Sequence, residues 1–163
     1  MKTSLIALTL LLTVSSILGA IDSSRQKCTE DVNRSRKMNA VDYNIADMNQ
    51  LKYDATLERC IHRRLSEDSC PVGTNVIGSI ETDTQKCLFL QHTKNSTFFG
   101  DFNGINEHAS TGIACLKSRC EKTGEEYVSY ALDDQESHYQ NGPPGSKCPS
   151  GRHDEDGLCA VDQ

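Results

Sequence analysis

The chain contains no tryptophan among its 163 residues, and aromatics make up only 6% of it. A core built with so few large rings is small, so apolar burial alone is a weak source of stability. Positive charge is also scarce. Lys and Arg number 17 against 23 Asp and Glu, and a net charge of −6 excludes the basic stripe that nucleic-acid binding requires. The only basic runs, Arg34–Lys37 (interrupted by Ser35) and His62–Arg64, read as solvated helix faces. The absence of a C-x-x-C pair argues against an oxidoreductase. No G-x-S-x-G elbow is present to present a nucleophile. Past the first twenty residues no long apolar run appears, so no membrane span is expected in the mature chain.

What the chain does have is sulfur. Eight cysteines stand at positions 28, 60, 70, 87, 115, 120, 148 and 159. All follow a leader that reads Lys2, an apolar run Leu5–Val14, then the small residues Ser15, Ser16, Gly19 and Ala20. That pattern marks residues 1–20 as a signal peptide too short to span a bilayer. An even cysteine count in an exported chain implies a disulfide framework, each bridge worth roughly 2–4 kcal/mol. Eight cysteines allow roughly a hundred pairings, and sequence alone does not choose among them. Cys28, Cys60, Cys70, Cys87, Cys115, Cys120, Cys148 and Cys159 are therefore all expected to be crosslinked.

A first helix is predicted from the cap Thr29, with Glu30 and Asp31 in its first turn, to Asn39. Ile45, Met48 and Leu51 recur at three-residue spacing, which suits a short helix or a turn on a core. The same residues, with Tyr53 and Leu57, would also suit the wall of a lipid groove, but apolar stripes usually face the interior. Asp54 is the next cap, and Leu57, Cys60, Ile61 and Leu65 form one apolar stripe on a helix ending near Ser66–Asp68. Between Val72 and Gly100 only Gln85–Gln91 reads as a strand; Phe98–Ile105 reads as loop. Gly112–Leu116 and Glu126–Leu132 pair as an antiparallel hairpin with Gly124 in the turn. From Asp133 onward the chain turns polar, with Pro143-Pro144-Gly145 as a break, and has too little apolar content to fold without its crosslink. The expected organisation is a leader (1–20), one domain (21–133) and a cysteine-closed tail (134–163). Asn95-Ser96-Thr97 is the expected glycan acceptor; the second sequon, Asn33-Arg34-Ser35, falls in the first helix.

Read in order, Asn33, Arg36, Ala40, Ala46, Met48, Leu51, Tyr53-Asp54 and Leu57 spell N-x-x-R…A…A-x-M-x-x-L-x-Y-D-x-x-L. This resembles the opening helices of the CAP superfamily, which includes cysteine-rich secretory proteins, venom antigen 5, plant pathogenesis-related proteins and many nematode secreted proteins. Thr111–Cys115 with Cys120 resembles that family's T-x-x-I-G-C…C strand, and Tyr139–Cys159 resembles its C-terminal hinge. The resemblance implies an α+β fold, a reduced α-β-α sandwich of CAP type with a small disulfide-closed tail. It also implies that Cys148 pairs with Cys159, that Cys60 or Cys70 tethers the second helix, and that Cys115 turns to Cys120, because the usual partner near Tyr127–Tyr130 is missing.

The departures bear on function. Val32 replaces the family's His before Asn33, Thr74 stands where a cleft glutamate belongs, and Asn106-Glu107-His108 does not reproduce the H-Y-T-Q segment. His62, His92, His108, His138 and His153 are scattered without metal-ligand spacing. Asp154 and Asp156 read as a solubilising pair rather than a catalytic one. The expectation is therefore no catalytic residue, no metal and no cofactor. The expected protein is a secreted, non-enzymatic binding or signalling protein whose partner is an extracellular protein or lipid. The alternatives are a disulfide-rich protease inhibitor working through Pro143–Cys159, and a lipid or sterol carrier.

Overall fold

The structure is a computed structural model that describes residues 24–67, 70, 75–83, 85–93, 107–135 and 138–162. The leader, Thr74 and Asn95 lie outside the described residues. Helix α1 spans 24–42 and begins more than a turn before the expected cap. Thr29 is inside it, its hydroxyl donating back to the Arg25 carbonyl at 3.1 Å. The extra turn is supported by Gln26–Glu30 and Lys27–Asp31, both at four-residue spacing with contacts of 2.8 Å. Val32, Arg36 and Ala40 recur every fourth residue and are buried.

The segment after α1 is neither helix nor simple turn. Asn44 adopts a positive φ of 55° just past the helix, and residues 45–51 then run without regular structure apart from isolated bridges at Ile45 and Asn49. Their backbone bonds go to other parts of the chain. Asn49 N–H donates to the His108 carbonyl at 2.9 Å, and Gln50 N–H to the Cys159 carbonyl at 3.0 Å. Ile45, Met48 and Leu51 are still buried, so the apolar spacing marked core correctly while misjudging the backbone. The segment continues into β1 (Lys52–Tyr53). Asp54 then caps a 3-10 turn, Ala55–Leu57, by accepting from the Thr56 N–H at 2.8 Å. Helix α2, Glu58–Glu67, follows with Leu57, Cys60 and Ile61 buried as predicted.

Strands β2 (Asn75–Glu81), β3 (Lys86–Thr93), β4 (Gly112–Arg119) and β5 (Glu126–Asp133) complete a five-stranded sheet of order β1-β4-β5-β3-β2. Only β1–β4 is parallel. The expected β4–β5 hairpin is present, with Gly124 at φ 72° in its turn; β2 was not anticipated. Alternation along the strands sorts the side chains to two faces. Leu90, Ile113, Tyr130 and Leu132 meet Val32 of α1 and Leu51. Cys87, Phe89, Ala114 and Ala131 meet Leu57, Cys60 and Ile61 on the other face. The helices therefore cover opposite sides of one sheet. The class is α+β.

All eight cysteines lie among the described residues and are paired: Cys28–Cys115, Cys60–Cys87, Cys70–Cys120 and Cys148–Cys159. The expected Cys115–Cys120 bond is not formed. Five positions apart on an extended chain, those two side chains point to opposite faces and stand roughly 16 Å apart, beyond the ~7 Å Cα separation a disulfide spans. Cys115 instead pins α1 to one face, while Cys60 pins α2 to the other. Cys70, three residues past α2, joins the end of β4.

The tail forms turns and a two-stranded hairpin, β6 (Arg152–Glu155) with β7 (Leu158–Val161). It docks on the irregular segment 44–50. Ala46 N–H donates to Gln140, Gly142 N–H to Asn44, Lys147 N–H to Ala46 and Cys159 N–H to Met48. Leu158 packs with Ala40, Ile45 and Met48.

Candidate interaction surface

The residues that carry the family resemblance turn out to be structural pins. Asn33 of α1 uses its amide as a strand would, donating to the Leu51 carbonyl and accepting the Leu51 N–H, both at 2.9 Å. Arg36 is fully buried and its guanidinium donates to the carbonyls of Asn49, Glu107, His108 and Ser110. Burial pushes its pKa down to about 9, against the pull of Asp133 and Glu107, so it remains a cation at neutral pH. Asp133 accepts from the N–H groups of Thr111 and Gly112 and from the Thr111 hydroxyl, fixing the start of β4. Val32 is packed among Leu51, Leu90 and Leu132. These are the means by which a small core holds two irregular segments, residues 45–51 and 107–111, in place.

The histidines do not converge. His62 is exposed on α2, and His138 and His153 are exposed in the tail. His92 is buried on β3, stacked on Tyr130 with ring centroids 5.6 Å apart, and burial pushes its pKa down. His108 is buried with Nε2 3.8 Å from the Asp47 carboxylate and Nδ1 3.5 Å from Glu107. Among the described residues no group of three His, Cys, Asp or Glu side chains is placed to hold a metal ion. Asp154 and Asp156 serve the hairpin turn: Asp154 accepts from the Gly157 N–H, and Asp156 pairs with Lys37 of α1. The Asp47–His108 contact, joining two loops across the chain, left no local signal in the sequence.

Of the apolar residues weighed as a lipid wall, Ile45, Met48, Leu51 and Leu57 are core, and Tyr53 is half-buried with its hydroxyl donating to Glu58. A groove of about 480 Å³ lies between Gln50 and Lys52 and the β6–β7 hairpin, with His153, Glu155 and Asp162 on its lining. Its lining is too polar to take an acyl chain.

Exposed apolar surface gathers elsewhere. Met38 and Val41, in the last turn and a half of α1, and Tyr43 just past its end are 59%, 61% and 63% exposed. Isolated apolar side chains on a surface are ordinary; three within six residues are not. The tail converges on this end. Asp156 at the hairpin tip reaches Lys37. A Cβ on Gly157 would stand 3.3 Å from Pro144, and one on Gly145 would fall within 2.1 Å of the Asp154 carboxylate. Gly145, at φ 74°, is thus required by conformation and by space. The Pro143–Gly145 turn, the Asp156-Gly157 turn and the end of α1 form one vertex. Asp156 and Gly157 both have positive φ (56° and 88°), the conformation of a two-residue hairpin turn. The Asp-Gly dipeptide is a sequence signal from which that hairpin was readable.

No protein-family model matches the sequence, and no curated protein does. Among solved structures, the crystal structure of hookworm platelet inhibitor is similar at a TM-score of 0.60. The match covers 87% of this chain and 92% of that one at 16% identity. At that identity the likeness is one of fold. Four disulfides in a domain of this size belong to an oxidising compartment, and among the described residues no helix is long and apolar enough to cross a membrane.

Proposed function

We propose that the chain is a secreted, non-enzymatic binding protein built on a CAP-type frame and acting on another extracellular protein. In this reading residues 1–20 are removed on export, residues 21–133 form the sandwich, residues 134–163 form the recognition-bearing tail, and Asn95 carries a glycan. The observation that carries the reading is the way the tail is fixed. Its two tight turns are locked by Cys148–Cys159 and by backbone bonds to residues 44–50, so surface loops are held rigidly on a disulfide-stapled scaffold. Rigid loops on such scaffolds commonly carry recognition, because little ordering entropy is lost on binding. The hookworm platelet inhibitor likeness supports the frame. That protein is named as an inhibitor, which accords with a binding role.

The protease-inhibitor alternative needs an exposed extended loop. Here Lys147 is turned inward at its backbone, donating its N–H to Ala46, and its ammonium donates to the Asn141 carbonyl at 2.9 Å. The test is to express the full chain through a secretory pathway and probe it against an array of receptor ectodomains and a serine-protease panel. Saturable binding to an ectodomain, lost on reduction, is the expected result. Stoichiometric protease inhibition with no ectodomain bound would reverse the assignment.

A further inference from the structure

We infer that Asn33 is a glycosylation site that the fold closes, so that a glycan there and the native structure exclude one another. This rests on the export reading above, since only a chain in the secretory pathway meets the transferase. The sequon Asn33-Arg34-Ser35 lies inside α1.

The acceptor amide is already in use. Asn33 Nδ2 donates to the Leu51 carbonyl and Asn33 Oδ1 accepts the Leu51 N–H, both at 2.9 Å. One edge of the side-chain amide meets both groups of one residue, so the donated hydrogen is the one on the same side as Oδ1. Glycosylation replaces one Nδ2 hydrogen with a sugar carbon and leaves a secondary amide. Such an amide is trans like the peptide bond, which sets the sugar carbon beside Oδ1. The carbon therefore takes the place of the very hydrogen that Leu51 accepts. A cis linkage would spare the bond but is strongly disfavoured.

The rest of the sequon is closed as well. Ser35, whose hydroxyl the transferase must read together with Asn33, is only 6% exposed. Side chains two apart on a helix do not face each other, so no enzyme reaches both once α1 is docked. Docking in turn depends on what surrounds Asn33. Val32 packs with Leu51, Leu90 and Leu132, Arg36 holds the Asn49 carbonyl, and Cys28 of the same helix is bonded to Cys115. A branched sugar wedged between α1 and Leu51 parts these contacts together. Asn33 is thus a fork: a chain that closes first shelters the site, and a chain modified first fails to close.

The test produces the full chain in secretory cells, with and without dithiothreitol during synthesis. Alongside it runs Arg36→Asp, which sets a carboxylate among carbonyls and holds α1 open. Glycosidase release in heavy-oxygen water marks each used asparagine for peptide mass analysis, and Asn95 reports that the transferase met the chain. The secreted protein is expected to be bare at Asn33 with all eight cysteines paired. Dithiothreitol and Arg36→Asp are each expected to raise Asn33 occupancy to the level seen at Asn95, with the modified chains retained in the cell and carrying free thiols. A glycan on Asn33 of the secreted, fully bridged protein overturns the inference. So does a bare Asn33 in the opened chains while Asn95 is modified, because the fold would then not be what closes the site. Both outcomes leave the export reading standing. A chain that never reaches the medium and bears no glycan overturns both.

Discussion

The sandwich and the tail solve the same problem with different means. The sandwich buries two apolar clusters on opposite faces of a sheet, and two disulfides, Cys28–Cys115 and Cys60–Cys87, tie one helix to each face. The tail has strands of four residues, and its buried apolar side chains are few: Leu158, Cys159 and Ala160. It compensates by borrowing, since Leu158 completes a cluster whose other members, Ala40, Ile45 and Met48, belong to α1 and the segment after it. Arg152 reinforces the join by donating to the Cys159 carbonyl at 2.7 Å. The difference teaches that segment 44–51 is the hinge of the design. It has little regular structure of its own, yet α1 holds it from one side and the tail leans on it from the other.

Removing that hinge's anchor is expected to have the largest effect. Arg36→Met keeps most of the buried volume but takes the donor away from the carbonyls of Asn49, Glu107, His108 and Ser110. Unpaired buried carbonyls cost about 1–3 kcal/mol each, partly relieved by relaxation, so a net loss of about 3–5 kcal/mol is expected. Urea unfolding measures it. Arg36→Lys should recover little, because an ammonium lacks the planar fork that reaches several carbonyls at once. A loss below about 1 kcal/mol would mean that the hinge is held by packing, and the comparison above would fail.

A second, smaller perturbation separates the two regions directly. Cys148→Ser with Cys159→Ser opens a loop of 11-residue separation, worth roughly 3 kcal/mol. The cost should fall on the tail. Amide exchange at Gln140, Gly142 and Lys147 should accelerate by about a hundredfold, the equivalent of 2.7 kcal/mol, while β3 and β5 stay protected. Uniform acceleration through the sheet would show one cooperative unit.

Much of this contrast was legible in the residues. The apolar stripe Leu57, Cys60, Ile61 and Leu65 marked α2, the apolar run Cys87–Leu90 marked β3, the turn residue Gly124 marked the β4–β5 pair, and Asp54 marked the cap, because each signal is local. The start of α1 was misplaced because Thr29 looks like a cap, while the side-chain pairs and disulfide that extend the helix upstream are spread along it and across to β4. Segment 45–51 was misjudged because its hydrogen-bond partners lie about 60 and 110 residues away, at Cα spacings no periodicity records. The resemblance motif located Asn33 and Arg36, yet their work as backbone pins is visible only in three dimensions. The vertex was missed since exposure of Met38, Val41 and Tyr43 depends on which side of α1 meets the sheet.

The smallest expected effect concerns pH and tests how dry the α1 face of the sheet is. His92 Nδ1 lies 2.7 Å from the Thr93 carbonyl, so Nδ1 carries the proton and donates to it. Nε2 then accepts from the Tyr130 hydroxyl at 3.3 Å, and burial holds that phenol protonated, with its pKa pushed up to about 12. Protonating Nε2 would break this contact and place a charge in the core, which accords with the lowered pKa of His92. The unfolded chain takes up this proton near pH 6.5, and the folded chain only at lower pH. Between those values the unfolded state binds more protons, so stability is full above about pH 6.5 and falls as the medium is acidified through the window. His92→Gln cannot titrate. The stability difference between the native chain and this variant should therefore shrink between pH 7.5 and pH 5 in urea unfolding. A difference that grows in acid would mean that the imidazolium is stabilised on this face, and that solvent or a carboxylate reaches what the packing of Val32, Leu90 and Tyr130 keeps apolar.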